Sequence, residues 1–347
     1  MKYFFRLVYL LVFLFLTFSS YGQQGEDYPI KIDSLLKTSS SRPFNGVVLV
    51  SQNGKTVYSK AYGYANFDKK TPIRLDDQFE IMSNGKQITA VLILREVEKG
   101  KIALDSPIKK YLSYLTQSWA DSVTVHQLLN HSHGIVDIEK PLLFKAGSEY
   151  KYGNLSYNLL GKIIEYATKK TYAEVAAELF KTLKMQNTFC YLKGETKNLV
   201  KGYINKENSF KAVENTQIND ENLPSDGVIT TAKDLAIWNN KLHRGKLLRP
   251  ETYKLFSSKT IMAQHDVFGK DKVGYGYGIR ISDKTPVKYI GHTGLGDGFA
   301  SVNLYFPQSG VSLIVLENQM NVNMDIGYYF GIEIKKILLK SNLLNRN

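Results

Sequence analysis

The chain has a single cysteine, Cys190, among 347 residues. An internal disulfide is therefore excluded and the core must be sufficient by itself. Cys190 is expected to be a buried small hydrophobe. A basic cluster is also missing: lysine and arginine are spread along the chain, and the longest runs are pairs such as Lys69-Lys70. The formal net charge is +13, yet without a cluster it reads as solvated surface charge, and nucleic acid is not an expected partner. No internal repeat or low-complexity segment is present. The apolar run over residues 7–18, broken only by Thr17, has 12 residues, which is short for a membrane span.

What is present begins with a leader. Lys2 and Arg6 precede that apolar run, and Ser20-Tyr21-Gly22 offers small residues where a signal peptidase reads. Residues 1–22 are expected to be a secretory signal peptide and residues 23–347 the mature chain, periplasmic or secreted. Membrane contact is expected only through this segment if it stays uncleaved. No cysteine lies near the cleavage point to carry a lipid. Hydrophobic content of 43% and charged content of 22% suit a globular domain.

The runs 46–51 and 55–62 are β-rich and separated by Gln52-Asn53-Gly54, a strong hairpin signal. A short helix is expected over 30–37. From Gln87 to about Phe256 the period is mainly helical, with Thr171-x-x-Glu174 and Thr231-x-x-Asp234 as capping boxes and Pro250 as a first helical residue. Strand character returns over 278–282, 287–290, 299–306 and 311–316, and residues 328–344 read as a closing helix. Strands at both ends and helices between them give an α/β (α+β) fold. Its antiparallel sheet is flanked by terminal helices and carries an inserted, mainly helical subdomain. The α/β part is expected over about 28–80 plus 272–347, and the helical part over about 81–271. A groove between the two is the natural ligand site.

Three short motifs carry chemistry. Ser83 and Lys86 stand three apart where a helical pattern begins, which puts a hydroxyl and an amine on one face. Tyr152-Gly153-Asn154 directly precedes the helix starting at Leu155. A phenolate is a base once its pKa is lowered, and a neighbouring ammonium does that. The Asn154 amide both donates and accepts, as a peptide-like substrate requires. His292-Thr293-Gly294 follows the strand-like stretch ending at Gly291 and offers a donor, a hydroxyl and a close backbone approach.

In this order the motifs resemble those of the serine β-lactamase and penicillin-binding protein superfamily, in the branch of class C β-lactamases, D,D-peptidases and related esterases. The resemblance extends over roughly residues 30–335, including the segments 46–50, 98–107, 123–131 and 227–235. It implies that Ser83 attacks a carbonyl and becomes acylated, with Lys86 and Tyr152 handling the proton. It implies an oxyanion hole from the backbone N–H groups of Ser83 and Leu295. Asn154 would bind the substrate amide, and His292, Thr293 and Gly294 would face the substrate carboxylate or leaving group. No metal or cofactor is implied. The chain departs from the pattern at His292, where most β-lactamases have lysine, which moves weight from a β-lactamase toward peptidases and esterases. Met82 replaces the glycine usual before the nucleophile. His131-Ser132-His133-Gly134 is read as a turn ending a helix, not a metal site. Ser225-Asp226-Gly227 resembles the Ser-Asp-Asn of another branch but lacks the asparagine, so Asn154 is given that role.

The expectation is an exported, monomeric serine hydrolase acting on a small-molecule or peptide substrate. A D-alanyl-D-alanine-type peptide, or a related amide or ester, leads. β-Lactam hydrolysis and non-catalytic binding of cell-wall peptides are the alternatives.

Overall fold

The computed structural model describes residues 27–38, 41–191, 198–263, 273–283 and 287–344. The leader expected over 1–22 lies outside the described residues. Among them, no helix is long and apolar enough to cross a membrane.

Asn53 and Gly54 join strands β1 (Gly46–Gln52) and β2 (Lys55–Tyr62) with φ of 52° and 82°. Both angles lie in the left-handed region that a type I′ turn requires, and asparagine and glycine tolerate it best. Six further strands complete the sheet: β3 (Ile261–Met262), β4 (Gly274–Tyr275), β5 (Arg280–Ser282), β6 (Tyr289–Gly296), β7 (Phe299–Phe306) and β8 (Val311–Glu317). The eight strands lie in the order β3-β4-β5-β6-β7-β8-β1-β2, every pair antiparallel. β1 thus sits between β8 and β2, and the two ends of the chain share one sheet.

Both faces of that sheet are covered. Val48 and Val50 of β1, with Leu313 and Val315 of β8, pack against the terminal helices α1 (Tyr28–Lys37) and α6 (Tyr329–Leu339) through Ile32, Phe330 and Ile334. Their neighbours Val47, Leu49, Ile314 and Leu316 join the opposite core. A period of two with apolar residues in both phases explains why these strands read as unbroken apolar runs. The opposite core is built by α2 (Lys86–Glu98), α3 (Leu155–Thr168), α4 (Tyr172–Leu183) and α5 (Ala232–His243). Thr171 and Glu174 close a reciprocal capping box on α4, whereas Thr231 on α5 receives only the Asp234 N–H.

Several elements differ from the sequence expectation. β6 does not stop at residue 290; it runs to Gly296, because the tight turn lies at Asp297-Gly298, with φ of 49° and 81°. The His292-Thr293-Gly294 motif is therefore inside a strand. The middle of the chain also holds short strands. Phe79–Glu80, Val228–Thr230 and Phe189–Cys190 form one small sheet, and Tyr203–Lys206 pairs in parallel with Gln319–Asn321. Such two- to four-residue pieces carry no readable period, and their partners lie up to 151 residues away, as Phe79 and Thr230 do. β3 and β4 extend the large sheet, so it begins before residue 272.

Two buried carboxylates have contrasting surroundings. Arg42, 1% exposed, grips Glu317 at the end of β8 with Nη1–Oε2 2.5 Å and Nη2–Oε1 2.8 Å. Two of its three other protons reach the carbonyls of Ile326 and Gly327 at 3.0 and 3.1 Å. Glu80, 4% exposed, has no hydrogen-bond partner for Oε2 among the described residues. Burial, assisted by the nearby Asp297 charge, pushes its pKa from 4.5 up to about 8.

Arg42→Ala is expected to cost about 3–5 kcal/mol, because it strands a buried carboxylate, measured as the shift in urea midpoint. For Glu80 the folded state binds the proton that the unfolded chain has released. Its stabilisation is therefore fully present below pH 4.5 and is lost as pH rises through about 8. Glu80→Gln should match wild type in Tm at about pH 4 and exceed it by roughly 5 °C at about pH 9. Equal Tm differences at both pH values would contradict the shift.

Candidate active site

The nucleophile turn is fixed from three sides. The Ile81 N–H donates to the carbonyl of Val228 at 3.0 Å, and the Ile81 carbonyl accepts from Ser301 Oγ of β7 at 2.8 Å. Ser301 Oγ in turn accepts from Asn84 Nδ2 at 2.7 Å. Gly294 of β6 lies directly against the same turn: a Cβ there would fall 2.0 Å from the Ile81 carbonyl oxygen. Met82 holds φ +49° in the left-handed region, a strain of about 1–2 kcal/mol for a non-glycine residue. That is the reason a glycine is expected there, and the Met82 side chain instead covers Gly296, approaching its missing Cβ position at 2.5 Å. Ser83 follows on a single 3₁₀ turn, Met82–Gly85, that leads directly into α2. It is half-buried, at a helix start where free N–H groups and the helix dipole favour negative charge.

Lys86, with 0% exposure, is the first residue of α2. Its ammonium donates to Ser83 Oγ at 2.8 Å, to Asn154 Oδ1 at 2.8 Å and to the Ser225 carbonyl at 3.2 Å. A carboxylate oxygen of Asp226 lies 3.6 Å away. Asp226 also accepts from Ser83 Oγ at 2.9 Å, from Asn154 Nδ2 at 2.5 Å and from Ser225 Oγ at 2.9 Å. Asn154 is thus turned with its oxygen toward the ammonium and its nitrogen toward the carboxylate. The short helix Leu223–Asp226 reaches this place because Gly161 of α3 admits Pro224, whose Cγ lies 2.2 Å from the position a Cβ would occupy. Thr89 of α2 also donates to the Pro224 carbonyl at 2.6 Å.

Tyr152 lies beside this cluster. The Lys86 ammonium is 5.2 Å from its ring centroid, and the rings of His131 and His292 lie 4.6 and 6.1 Å away. No hydrogen bond joins the Tyr152 hydroxyl to Ser83 or Lys86 among the described residues.

On β6, the partner β5 pairs only with Tyr289, Ile290 and Gly291. From His292 onward β6 is bonded on its β7 side alone. In the two-residue hairpin, Gly296 and Phe299 face each other at the turn and exchange the closing hydrogen bonds. Leu295, one residue back, therefore directs its N–H to the free edge, the side of the Ser83 turn. The placement suits an oxyanion donor paired with the Ser83 N–H.

The expectation for His292 needs correction. The resemblance implies a side chain facing the substrate, but this one is 0% exposed, with Nε2 3.0 Å from the Tyr275 hydroxyl and Nδ1 2.6 Å from the Thr293 carbonyl. Burial, then the nearby Arg280 and Lys86 charges, hold its pKa well below the ordinary histidine range. It is a neutral structural imidazole. Thr293, opposite Val302, is 3% exposed, so this motif meets the groove mainly through its backbone edge. The Asn154 amide, expected to bind substrate, already has both ends engaged.

Two residues escaped sequence reasoning. Asp226 lay in a motif set aside for want of an asparagine. Arg280, 4% exposed on β5, has its guanidinium carbon 5.4 Å from the Tyr152 ring centroid and 5.7 Å from that of Tyr275. Its Nε and Nη1 have no hydrogen-bond partner among the described residues. It is a buried cation beside Tyr152, and its charge helps to hold the His292 pKa down. His131 and His133 are buried, with ring centroids 6.2 Å apart, and no group of three metal-ligating side chains occurs among the described residues.

The beta-lactamase family model matches residues 35–330. Protein flp of Staphylococcus aureus (strain MW2) is 26% identical over 299 residues, covering 78% of this chain and 59% of that protein. Teichoic acid D-alanine hydrolase of Staphylococcus aureus is 30% identical over 271 residues, covering 71% and 64%. The chain thus spans about three fifths of the length of these curated relatives. The octameric penicillin-binding protein homologue from Pyrococcus abyssi superposes with a TM-score of 0.79 at 25% identity, covering 91% of this chain and 78% of that one. A match over most of the sequence, the mixed fold with its antiparallel sheet, and the Ser83–Lys86 pair at a helix start agree, and the chain belongs to the beta-lactamase family.

Proposed function

We propose that this protein is an exported serine hydrolase that forms an acyl-enzyme at Ser83, acting on D-alanyl amides or esters. The observation that carries the reading is the 2.8 Å hydrogen bond from a fully buried lysine to the hydroxyl of an accessible serine at a helix start. In this reading Ser83 Oγ attacks the carbonyl carbon, and the developing oxyanion receives the N–H groups of Ser83 and Leu295. The Lys86 ammonium steadies the charge that grows on Oγ. Tyr152 stands beside Lys86, where its hydroxyl meets the leaving group. Arg280 supports a substrate with an anionic group near the scissile bond, since a buried guanidinium with two unbonded nitrogens favours such a partner. The D-alanyl preference is supported by the name of the teichoic acid D-alanine hydrolase, a relative at 30% identity. Export rests on the leader over residues 1–22, and residues 23–347 are taken as a single domain that works as a monomer.

Intact mass after exposure to a penicillin, a D-alanyl peptide and a D-alanyl ester tests the reading. A mass increase that disappears in Ser83→Ala is expected. Rapid turnover of penicillin to a ring-opened product would move the assignment to a β-lactamase. Absence of reaction with all three, in folded protein, would leave only a binder of cell-wall peptides. Lys86→Ala and Tyr152→Phe should each slow acylation by about 10² or more, and unchanged rates would remove them from the mechanism.

A further inference from the structure

The proton count around Ser83 leaves one acceptor for its hydroxyl proton. The Lys86 nitrogen donates to three oxygens: Ser83 Oγ, Asn154 Oδ1 and the Ser225 carbonyl. A lysine so placed donates to Ser83 and has no lone pair turned toward it. Tyr152 makes no hydrogen bond to Ser83 among the described residues. The Ser83 hydroxyl itself donates, and its acceptor is Oδ1 of Asp226 at 2.9 Å. Asp226 is 6% exposed and held by Ser225 Oγ and Asn154 Nδ2 on its other oxygen, so it is oriented before substrate arrives.

We propose that Asp226 is a catalytic residue that takes the Ser83 proton as the nucleophile attacks. The inference rests on the reading that Ser83 is acylated. As the Oγ–carbon bond forms, the O–H bond breaks, its proton passes to Oδ1, and the carbonyl π pair moves to the oxygen. Collapse of that intermediate expels the leaving group, which takes the proton back from the Asp226 carboxyl. In the second half Asp226 takes a proton from water as the hydroxyl adds to the acyl carbon. Departing Ser83 Oγ recovers it, and the enzyme returns to its starting state. Lys86 keeps its N–H on Oγ and stabilises the charge there, a division of labour that the S-x-x-K spacing alone does not reveal.

The test is the pre-steady-state burst with p-nitrophenyl acetate in the full-length chain. Asp226→Asn, nearly isosteric, should acylate at least 10²-fold more slowly than wild type. Added formate should raise the rate of Asp226→Ala at least tenfold, by supplying the missing carboxylate. Formate rescue is a readout that a purely structural role would not move. Asp226→Asn within threefold of wild type would overturn the proposal, as would a slow Asp226→Ala that formate leaves unchanged. If Asp226→Ala does not fold, Asp226→Glu carries the test: it should keep about a tenth of the wild-type rate, and a rate no higher than that of Asp226→Asn overturns the proposal. A wild-type chain with no burst at all would instead sink the Ser83 reading, so the two failures are distinguishable.

Discussion

A lysine ammonium without solvent exposure needs oxygen around it, and the rest of the site follows from meeting that need. Lys86 has no exposure, and an unpaired buried charge would cost far more than the few kcal/mol by which a domain is stable. Its oxygens come from three separated stretches of chain: Ser83 on its own turn, Asn154 before α3, and Ser225 with Asp226 before Val228–Thr230. Satisfying one cation therefore pulls Ser83, the Tyr152 loop and the Asp226 turn to one point. Buried charge clusters of this kind are weak devices for stability and strong ones for holding a fixed arrangement. Here the arrangement ends in a serine hydroxyl whose every neighbour is placed before substrate arrives.

The large sheet contributes the opposite wall. β5 stops pairing at Gly291, which leaves β6 from His292 to Gly296 with an open edge. Gly294 lets that edge close on the Ile81 carbonyl, and Ser301 on the next strand ties the nucleophile turn to the sheet. The two halves of the molecule thus meet at one short stretch of backbone, and Leu295 and Ser83 belong to opposite sides of that contact. A side chain at residue 294 would part them, which explains a glycine there more directly than any demand of strand conformation.

Much of this was legible in the chain, and the limits have physical causes. Asn53-Gly54 fixed the first hairpin because only a few residue types accept its dihedral angles. β7 over 299–306 was readable because it is mostly apolar with aromatic residues at both ends, and a turn sequence closes it. Ser83, Lys86 and Asn154 were legible from spacing, and the structure brings them within hydrogen-bond distance. The extent of β6 was misjudged because Gly291, Gly294 and Gly296 are poor strand formers, while pairing with β7 overrides their propensity. His292 was assigned the wrong role because its burial depends on Tyr275, which arrives from another strand. Arg280 has the same cause: it lies more than a hundred residues from Ser83 in sequence and carries no local pattern, whereas Asp226 stands in a short motif that lacks the expected asparagine. Short motifs announce the residues whose partners are near in sequence, whereas the groups that complete the charge balance come from far away.

The central claim is that the Ser83 hydroxyl is the atom that becomes acylated. The most direct measurement is peptide mapping by mass spectrometry of protein quenched in acid within seconds of mixing with a D-alanyl ester. The account predicts one added D-alanyl group, located on the peptide containing Ser83 and absent from the Ser83→Ala chain. An acyl group found on any other residue, or substrate turnover that continues unchanged in Ser83→Ala, would contradict it.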